Sequence, residues 1–203
     1  MVSLPRLYPI LDAALPAYQP LYRAAEELSK AGVTLLQYRN KSGNVCAMLE
    51  QARALKRHLG DSVRLIMNDR ADLGLAAGFD GVHVGQDDLS PESVRKIIGP
   101  DRWLGISTHN PEQLQDADLS SADYLAIGPV FATSSKDKPD PVVGLEGVRR
   151  ARALTRKPLV AIGGITRANA ASLIEAGADS VAVISDLMRD PRKSAEEFFR
   201  ILR

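Results

Sequence analysis

The sequence is poor in the residues that mark several common classes of protein. Cys46 is the only cysteine in 203 residues, which excludes an intrachain disulfide and a cysteine-built zinc cluster and suits a reducing, cytoplasmic setting. Charge of one sign is not in excess: 26 Lys and Arg face 25 Asp and Glu, leaving a formal net charge of +1. A nucleic-acid-binding surface usually shows as a basic excess or stripe, and the basic residues here are interspersed with acids. No run approaches the roughly 20 apolar residues of a membrane helix. The first residues, "MVSLPRLYPILDAALPAY", lack the apolar core of a signal peptide. Aromatics make up only 5% of the chain. Neither nucleic acid nor membrane is therefore expected as a partner.

What is present is alternation. Short apolar runs read as buried parallel strands: "LYPIL", "LLQYR", "RLIMND", "GVHVG", "WLGIS", "YLAIGP", "LVAIGG" and "SVAVIS". Between and after them lie stretches of helical period, several closed by a glycine at Gly32, Gly60, Gly78 or Gly177. Pro91 and Pro111 suit first helical turns. Eight strand-helix units over residues 1–203 predict an α/β fold, a (β/α)8 TIM barrel in one domain. A doubly wound open sheet is the rival. One connection, "FATSSKDKPDPVVG" after the sixth strand, is longer than the rest, and long loops in compact domains are often functional.

Barrel enzymes work at the C-terminal ends of their strands, and polar residues collect there. In "LLQYRNK" a strand places every second side chain on one face, so Gln37, Arg39 and Lys41 point together. Asn68 and Asp69 end the third strand, and Asp88 follows the fourth. Ser107 and His109 end the fifth, and Thr133, Ser134, Ser135 and Lys136 follow the sixth. Arg39, Lys41 and Lys136 make a cationic mouth suited to phosphate oxygens. Asp69 and Asp88 suit Mg²⁺, which takes oxygen ligands and keeps water and phosphate in its shell. Cations around a carboxylate-held metal suggest a pyrophosphate. The plainer reading is that Arg39 and Lys41 simply pair with Asp69 and Asp88. "AIGGI" suggests a second, backbone-built anion site, completed by the N–H groups of Ile184 and Ser185. His83 reads as packed and His58 as exposed. His109 could line the mouth, Asp12 could support it from the first strand, and Trp103 reads as packing.

Taken in order, these motifs resemble the thiamine phosphate synthase family almost from end to end. They are Gln37-x-Arg39-x-Lys41, Asn68-Asp69, "GVHVGQDD", Ser107-x-His109, "GPVFATSSK", "IGGI" and a final Ile184-Ser185. The resemblance implies the joining of a hydroxymethylpyrimidine diphosphate to a thiazole phosphate, giving thiamine monophosphate and pyrophosphate by a dissociative route. It implies that the segment Gln37, Tyr38, Arg39, Asn40 and Lys41, with Asn68, Ser107 and Lys136, holds the pyrimidine diphosphate. Within that segment Tyr38 and Asn40 should face the other way. Thr133, Ser134, Ser135, Gly164, Ile184 and Ser185 would hold the thiazole phosphate. Asp69 and Asp88 would bind Mg²⁺, and Arg39, Lys41 and Lys136 would assist the leaving group. Partners are then two phosphorylated small molecules, with a homodimer possible. Tyr38 and Asn40 depart from commoner residues, Asn40 from an acidic one, but neither removes a charge the chemistry needs. One rival is a thiazole tautomerase-like paralogue, which would have little use for a diphosphate clamp. A sugar-phosphate isomerase and a non-catalytic binding protein are more distant ones.

Overall fold

In a computed structural model the described residues are 2–15, 20–133, 140–187 and 189–203. Eight parallel strands close into a barrel in sequence order, β1 pairing with both β2 and β8. They are β1 (Leu7–Asp12), β2 (Leu35–Arg39), β3 (Arg64–Asn68), β4 (Gly81–Val84), β5 (Trp103–Thr108), β6 (Tyr124–Ile127), β7 (Leu159–Ile162) and β8 (Ser180–Val183). The helices are α1 (Leu21–Lys30), α2 (Val45–Leu59), α3 (Ala71–Ala76), α4 (Pro91–Ile98), α5 (Pro111–Leu119), α6 (Gly144–Leu154), α7 (Ala170–Glu175) and α8 (Pro191–Ile201). A short 3₁₀ turn, Ser185–Leu187, follows β8. Closure rules out the open sheet.

Local chemistry explains the elements. In α1, Leu21, Ala24, Ala25 and Leu28 are buried at helical spacing, and burying one leucine contributes roughly 1.5–3 kcal/mol. Ser90, Asn110 and Asp190 cap α4, α5 and α8 with their side chains, each just before a proline in the first turn. Gly60 and Gly78 follow α2 and α3 at φ 57° and 71°, a left-handed conformation that a Cβ would strain.

Two apolar layers result. Outward strand residues such as Leu11, Leu36, Tyr38, Met67 and Val82 pack against the helices. Inward ones, including Tyr8, Ile10, Leu35, Ile66, Tyr124, Ala126, Val160 and Ala182, fill the barrel. The period-2 alternation of the strands thus sorts side chains into two cores.

The N-terminal end of the barrel repeats one device three times. Asp80, Asp123 and Asp179 stand immediately before β4, β6 and β8. Each carboxylate accepts the first free N–H of the preceding strand, from Leu65, Leu104 and Leu159 at 2.8, 2.7 and 2.8 Å. Each is also met by a cation from a helix: Lys56 at 3.9 Å, Arg95 at 2.7 Å and Arg152 at 2.9 Å. The tripeptides "FDG", "ADY" and "ADS" carry this signal, which the strand pattern alone does not reveal.

Candidate active site

The strand register sets the mouth. Asp12 pairs with Arg39 in the β1–β2 ladder, and Asn68 pairs with His83 in the β3–β4 ladder. Arg39 forms a short ion pair with Asp12, which is 4% exposed; a second oxygen of Asp12 accepts from the Ala14 N–H at 3.0 Å. Lys41 Nζ lies 2.5 Å from Asp69 Oδ2. The ion-pair reading therefore holds for Lys41, while Arg39 is held by Asp12 rather than by Asp69 or Asp88. Asp69 is the one non-glycine residue with positive φ among the described residues, at 61°. Its N–H donates to the His83 carbonyl at 2.8 Å. That conformation is uncommon outside Gly, Asn and Asp and turns the carboxylate toward the neighbouring strand. Burial pushes the Asp69 carboxyl above the usual carboxylate range, Lys41 opposes this, and the adjacent Asp88 raises it further. Asp88 is fixed by the Gly85 N–H at 2.8 Å.

Two carboxyl groups thus share one corner of the mouth. No group of three or more His, Cys, Asp or Glu side chains converges among the described residues. A pair of carboxylates still fits Mg²⁺, which commonly takes one or two and completes its shell with water and substrate phosphates. The buried Nδ2 of Asn68 has no hydrogen-bond partner in the protein, a donor left for a ligand on the same side.

Beneath the mouth a chain of polar groups crosses the barrel. Gln37 Nε2 donates to the Tyr8 hydroxyl at 3.0 Å, and Tyr8 and Tyr124 hydroxyls lie 2.9 Å apart. His83 Nδ1 is 3.1 Å from the Tyr124 hydroxyl, and its Nε2 is 2.8 Å from Ser107 Oγ. His83 is packed, as its setting in "GVHVG" suggests, and burial pushes its pKa down to about 4. It is a neutral imidazole at ordinary pH. His109 donates through Nδ1 to the Gly128 carbonyl (2.5 Å), and its Nε2 is 3.5 Å from Asp140. It ties the end of β5 to the start and end of the long loop.

Some expected site residues stand elsewhere. Tyr38 is fully buried on the helix side, its hydroxyl donating to Gln51 of α2 at 2.6 Å. Asn40 Nδ2 donates to the Tyr38 hydroxyl and to Gln51, both at 3.0 Å. Both side chains anchor α2 and turn from the mouth, as alternation along the strand predicts, so the side chains that this segment offers the mouth are those of Gln37, Arg39 and Lys41. Ser134, Ser135 and Lys136 lie outside the described residues. Thr133 is half-buried at the rim.

Gly163 and Gly164 have φ of 99° and 65°, and a Cβ on Gly164 would meet the Ala132 carbonyl at 2.4 Å. The glycines are required where this turn packs under the loop after β6. The helix expected to follow them begins only at Ala170, after a turn in which Asn169 accepts from the Thr166 N–H. At the eighth strand, Ile184 is half-buried and Ser185 exposed, at the start of the 3₁₀ turn. A short extra helix in this position is a common phosphate-binding element of such barrels.

The model of the family described as "Thiamine monophosphate synthase" matches residues 7–187. The chain belongs to the thiamine monophosphate synthase family. A thiamine-phosphate synthase of Koribacter versatilis is 62% identical, with 99% of this chain and 97% of that protein covered. One from Xanthobacter autotrophicus is 45% identical over 93% and 91%. The solved thiamine phosphate pyrophosphorylase of Pyrococcus furiosus superposes with a TM-score of 0.87 at 34% identity, over 97% of this chain and 95% of that one. The chain is thus a transferase of thiamine biosynthesis, acting on small molecules as a thiamine-phosphate synthase. The tautomerase-like alternative finds no support in these relatives. No helix among the described residues is long and apolar enough to cross a membrane.

Proposed function

We propose that the mouth of this barrel condenses 4-amino-2-methyl-5-hydroxymethylpyrimidine diphosphate with 4-methyl-5-(2-phosphooxyethyl)thiazole by dissociative, metal-assisted loss of pyrophosphate. The observation that carries the reading is the meeting of Arg39, Lys41, Asp69 and Asp88 at adjacent strand ends, with the donor groups of Asn68 and Ser107 beside them. Asp69 and Asp88 would hold Mg²⁺, which when bound neutralises charge developing on a leaving diphosphate. Arg39 and Lys41 leave their carboxylate partners and donate to the diphosphate oxygens. Their stabilisation is greatest where negative charge grows, so it lowers the barrier more than it tightens ground-state binding. Gln37, Asn68 and Ser107 orient the pyrimidine diphosphate, and Lys136 completes the cationic set. Thr133, Ser134, Ser135, Gly164, Ile184 and Ser185 hold the thiazole phosphate. The thiazole nitrogen is itself nucleophilic, so the protein needs no side-chain nucleophile; its work is alignment of two substrates.

Purified protein supplied with both substrates and Mg²⁺ is expected to release pyrophosphate and thiamine monophosphate in equal amounts, and to stop when a chelator removes the metal. Folded protein without product would refute the assignment, and full turnover in chelator would refute the metal. A homodimer belongs to the same proposal, supported by exposed Leu119 and Val142; sedimentation checks it. A cytoplasmic setting rests on the single, exposed Cys46 thiol.

A further inference from the structure

The polar chain under the mouth has a direction. The Gln37 amide nitrogen can only donate, and it donates to Tyr8. Tyr8 must then pass its own proton onward, and the Tyr124 oxygen lies 2.9 Å away. Tyr124, having accepted, donates to His83 Nδ1 at 3.1 Å. A neutral ring that accepts at Nδ1 carries its proton on Nε2. That proton points at Ser107 Oγ, 2.8 Å away. Ser107 accepts, and its own O–H is left to point into the half-buried mouth. Every link is between different strands: β2, β1, β6, β4 and β5.

The barrel is built around this chain. His83, Gly105 and Tyr124 are consecutive neighbours across β4, β5 and β6 in the register. A Cβ on Gly105 would stand 2.2 Å from Tyr124 Cζ and 2.4 Å from His83 Nδ1. The bare glycine leaves the gap in which ring and phenol meet. Tyr8 and Tyr124 also pack edge to face, 6.1 Å between centroids. Unpaired hydroxyls at this depth would be costly, so a satisfied network fixes one arrangement.

We propose that Tyr8, Tyr124 and His83 are positioning residues: a one-way hydrogen-bond chain from Gln37 that holds His83 as the Nε2–H tautomer and delivers the Ser107 hydroxyl to the substrate as a donor. The consequence for the reaction rests on the reading of Gln37 and Ser107 given above. Ionised diphosphate oxygens can only accept. Were the chain reversed, Ser107 would give its proton to His83 and turn lone pairs toward an anion.

The decisive measurement needs no substrate. In ¹⁵N-histidine-labelled protein, with His83 assigned by loss of its signals in His83→Asn, the resting ring is expected as Nε2–H. Gln37→Glu at alkaline pH replaces the donor by a carboxylate that only accepts. Each link must then turn around, and His83 should switch to Nδ1–H two strands away. Tyr124→Phe removes the donor to Nδ1 and should abolish the tautomer preference. It should also lower kcat/KM for the pyrimidine diphosphate by roughly fivefold, one hydrogen bond's worth, while the KM for the thiazole phosphate holds. An Nδ1–H ring in the resting protein, or a ring unmoved by both substitutions, overturns the chain. A correct tautomer response with unaltered Tyr124→Phe kinetics overturns the positioning role and leaves the substrate assignment to its own tests.

Discussion

Both ends of the barrel carry paired charge, but the pairs are of different kinds. At the N-terminal end, Arg95 donates to the carbonyls of Gly99, Arg102 and Ser121 as well as to Asp123. Arg152 reaches Thr155, Lys157 and Asp179. Lys157 donates to Ala117 and Ser120 carbonyls, and burial lowers its pKa. These cations are locked onto backbone that cannot move without unravelling a loop. At the mouth, Arg39 rests on Asp12 and Lys41 on Asp69. A carboxylate can exchange its cation for a metal, and the cation can take a phosphate instead. One end is wired for permanence and the other for exchange. A cavity of about 790 Å³ opens at the N-terminal end beside Arg6, Arg152 and Asp179, yet its pairing marks it as structural.

The comparison breaks most cleanly by exchanging the measurements. Arg39→Ala or Lys41→Ala removes stabilisation of the leaving group, typically about 3 kcal/mol and on the order of a hundredfold in turnover. Thermal stability should change little in Lys41→Ala, because an exposed ion pair contributes at most about 1 kcal/mol, whereas Arg39→Ala also leaves the buried Asp12 carboxylate without its cation and should lower Tm as well. Asp123→Ala should do the reverse. It strands the Leu104 N–H and leaves the partly buried Arg95 guanidinium without its carboxylate, about 3 kcal/mol, or roughly 6–12 °C in Tm for a chain of this size. Its kcat should stay near normal. Rates and melting curves on the three variants decide it: a mouth variant that melts early but turns over normally would invert the assignment.

A smaller effect sharpens the exchange argument. Asp69→Asn suits the positive φ of 61°, since Asn tolerates that conformation nearly as Asp does, so the fold should persist. The Mg²⁺ concentration giving half-maximal rate should rise more than about tenfold, in line with losses at metal-site residues. pH gives an independent handle. Burial and the neighbouring Asp88 raise the Asp69 pKa, and a metal requires the carboxylate. The Mg²⁺ requirement should therefore climb as pH falls toward that raised value, earlier than for an ordinary carboxylate. A requirement flat with pH, or unmoved in Asp69→Asn, would count against this ligand.

The barrel was legible because its two periodicities are strong. All eight strand segments read from apolar runs lie where β1–β8 form, and the glycines after α2 and α3 sit at the positive φ their positions suggested. The clustering at the mouth followed from strand polarity. Other features were hidden for physical reasons. Asp12 meets Arg39 through a ladder pairing between segments 27 residues apart, and no local pattern encodes that register. The Tyr8–Tyr124–His83 chain joins residues that look like ordinary core, because each hydroxyl is meaningful only through a partner on another strand. The Gly163–Gly164 turn looked like an anion cradle, but its glycines also answer to a loop that packs over them.

The smallest predicted effect tests the alternation itself, within one strand. Tyr38 and Arg39 are neighbours, one facing α2 and the other the mouth. Tyr38→Phe deletes a hydroxyl that donates to Gln51 and accepts from Asn40. The ring stays buried, so the loss is one hydrogen bond, about 1 kcal/mol, or roughly 2–4 °C in Tm. Rate and both KM values should stay within about twofold, since the hydroxyl bonds to Gln51 and Asn40 on the helix side. A large rise in KM for the pyrimidine diphosphate would mean that Gln51 and Asn40 transmit strain through Arg39. The division of this strand into a packing face and a chemical face would then be too simple, and α2 would have to be counted as part of the support of the site.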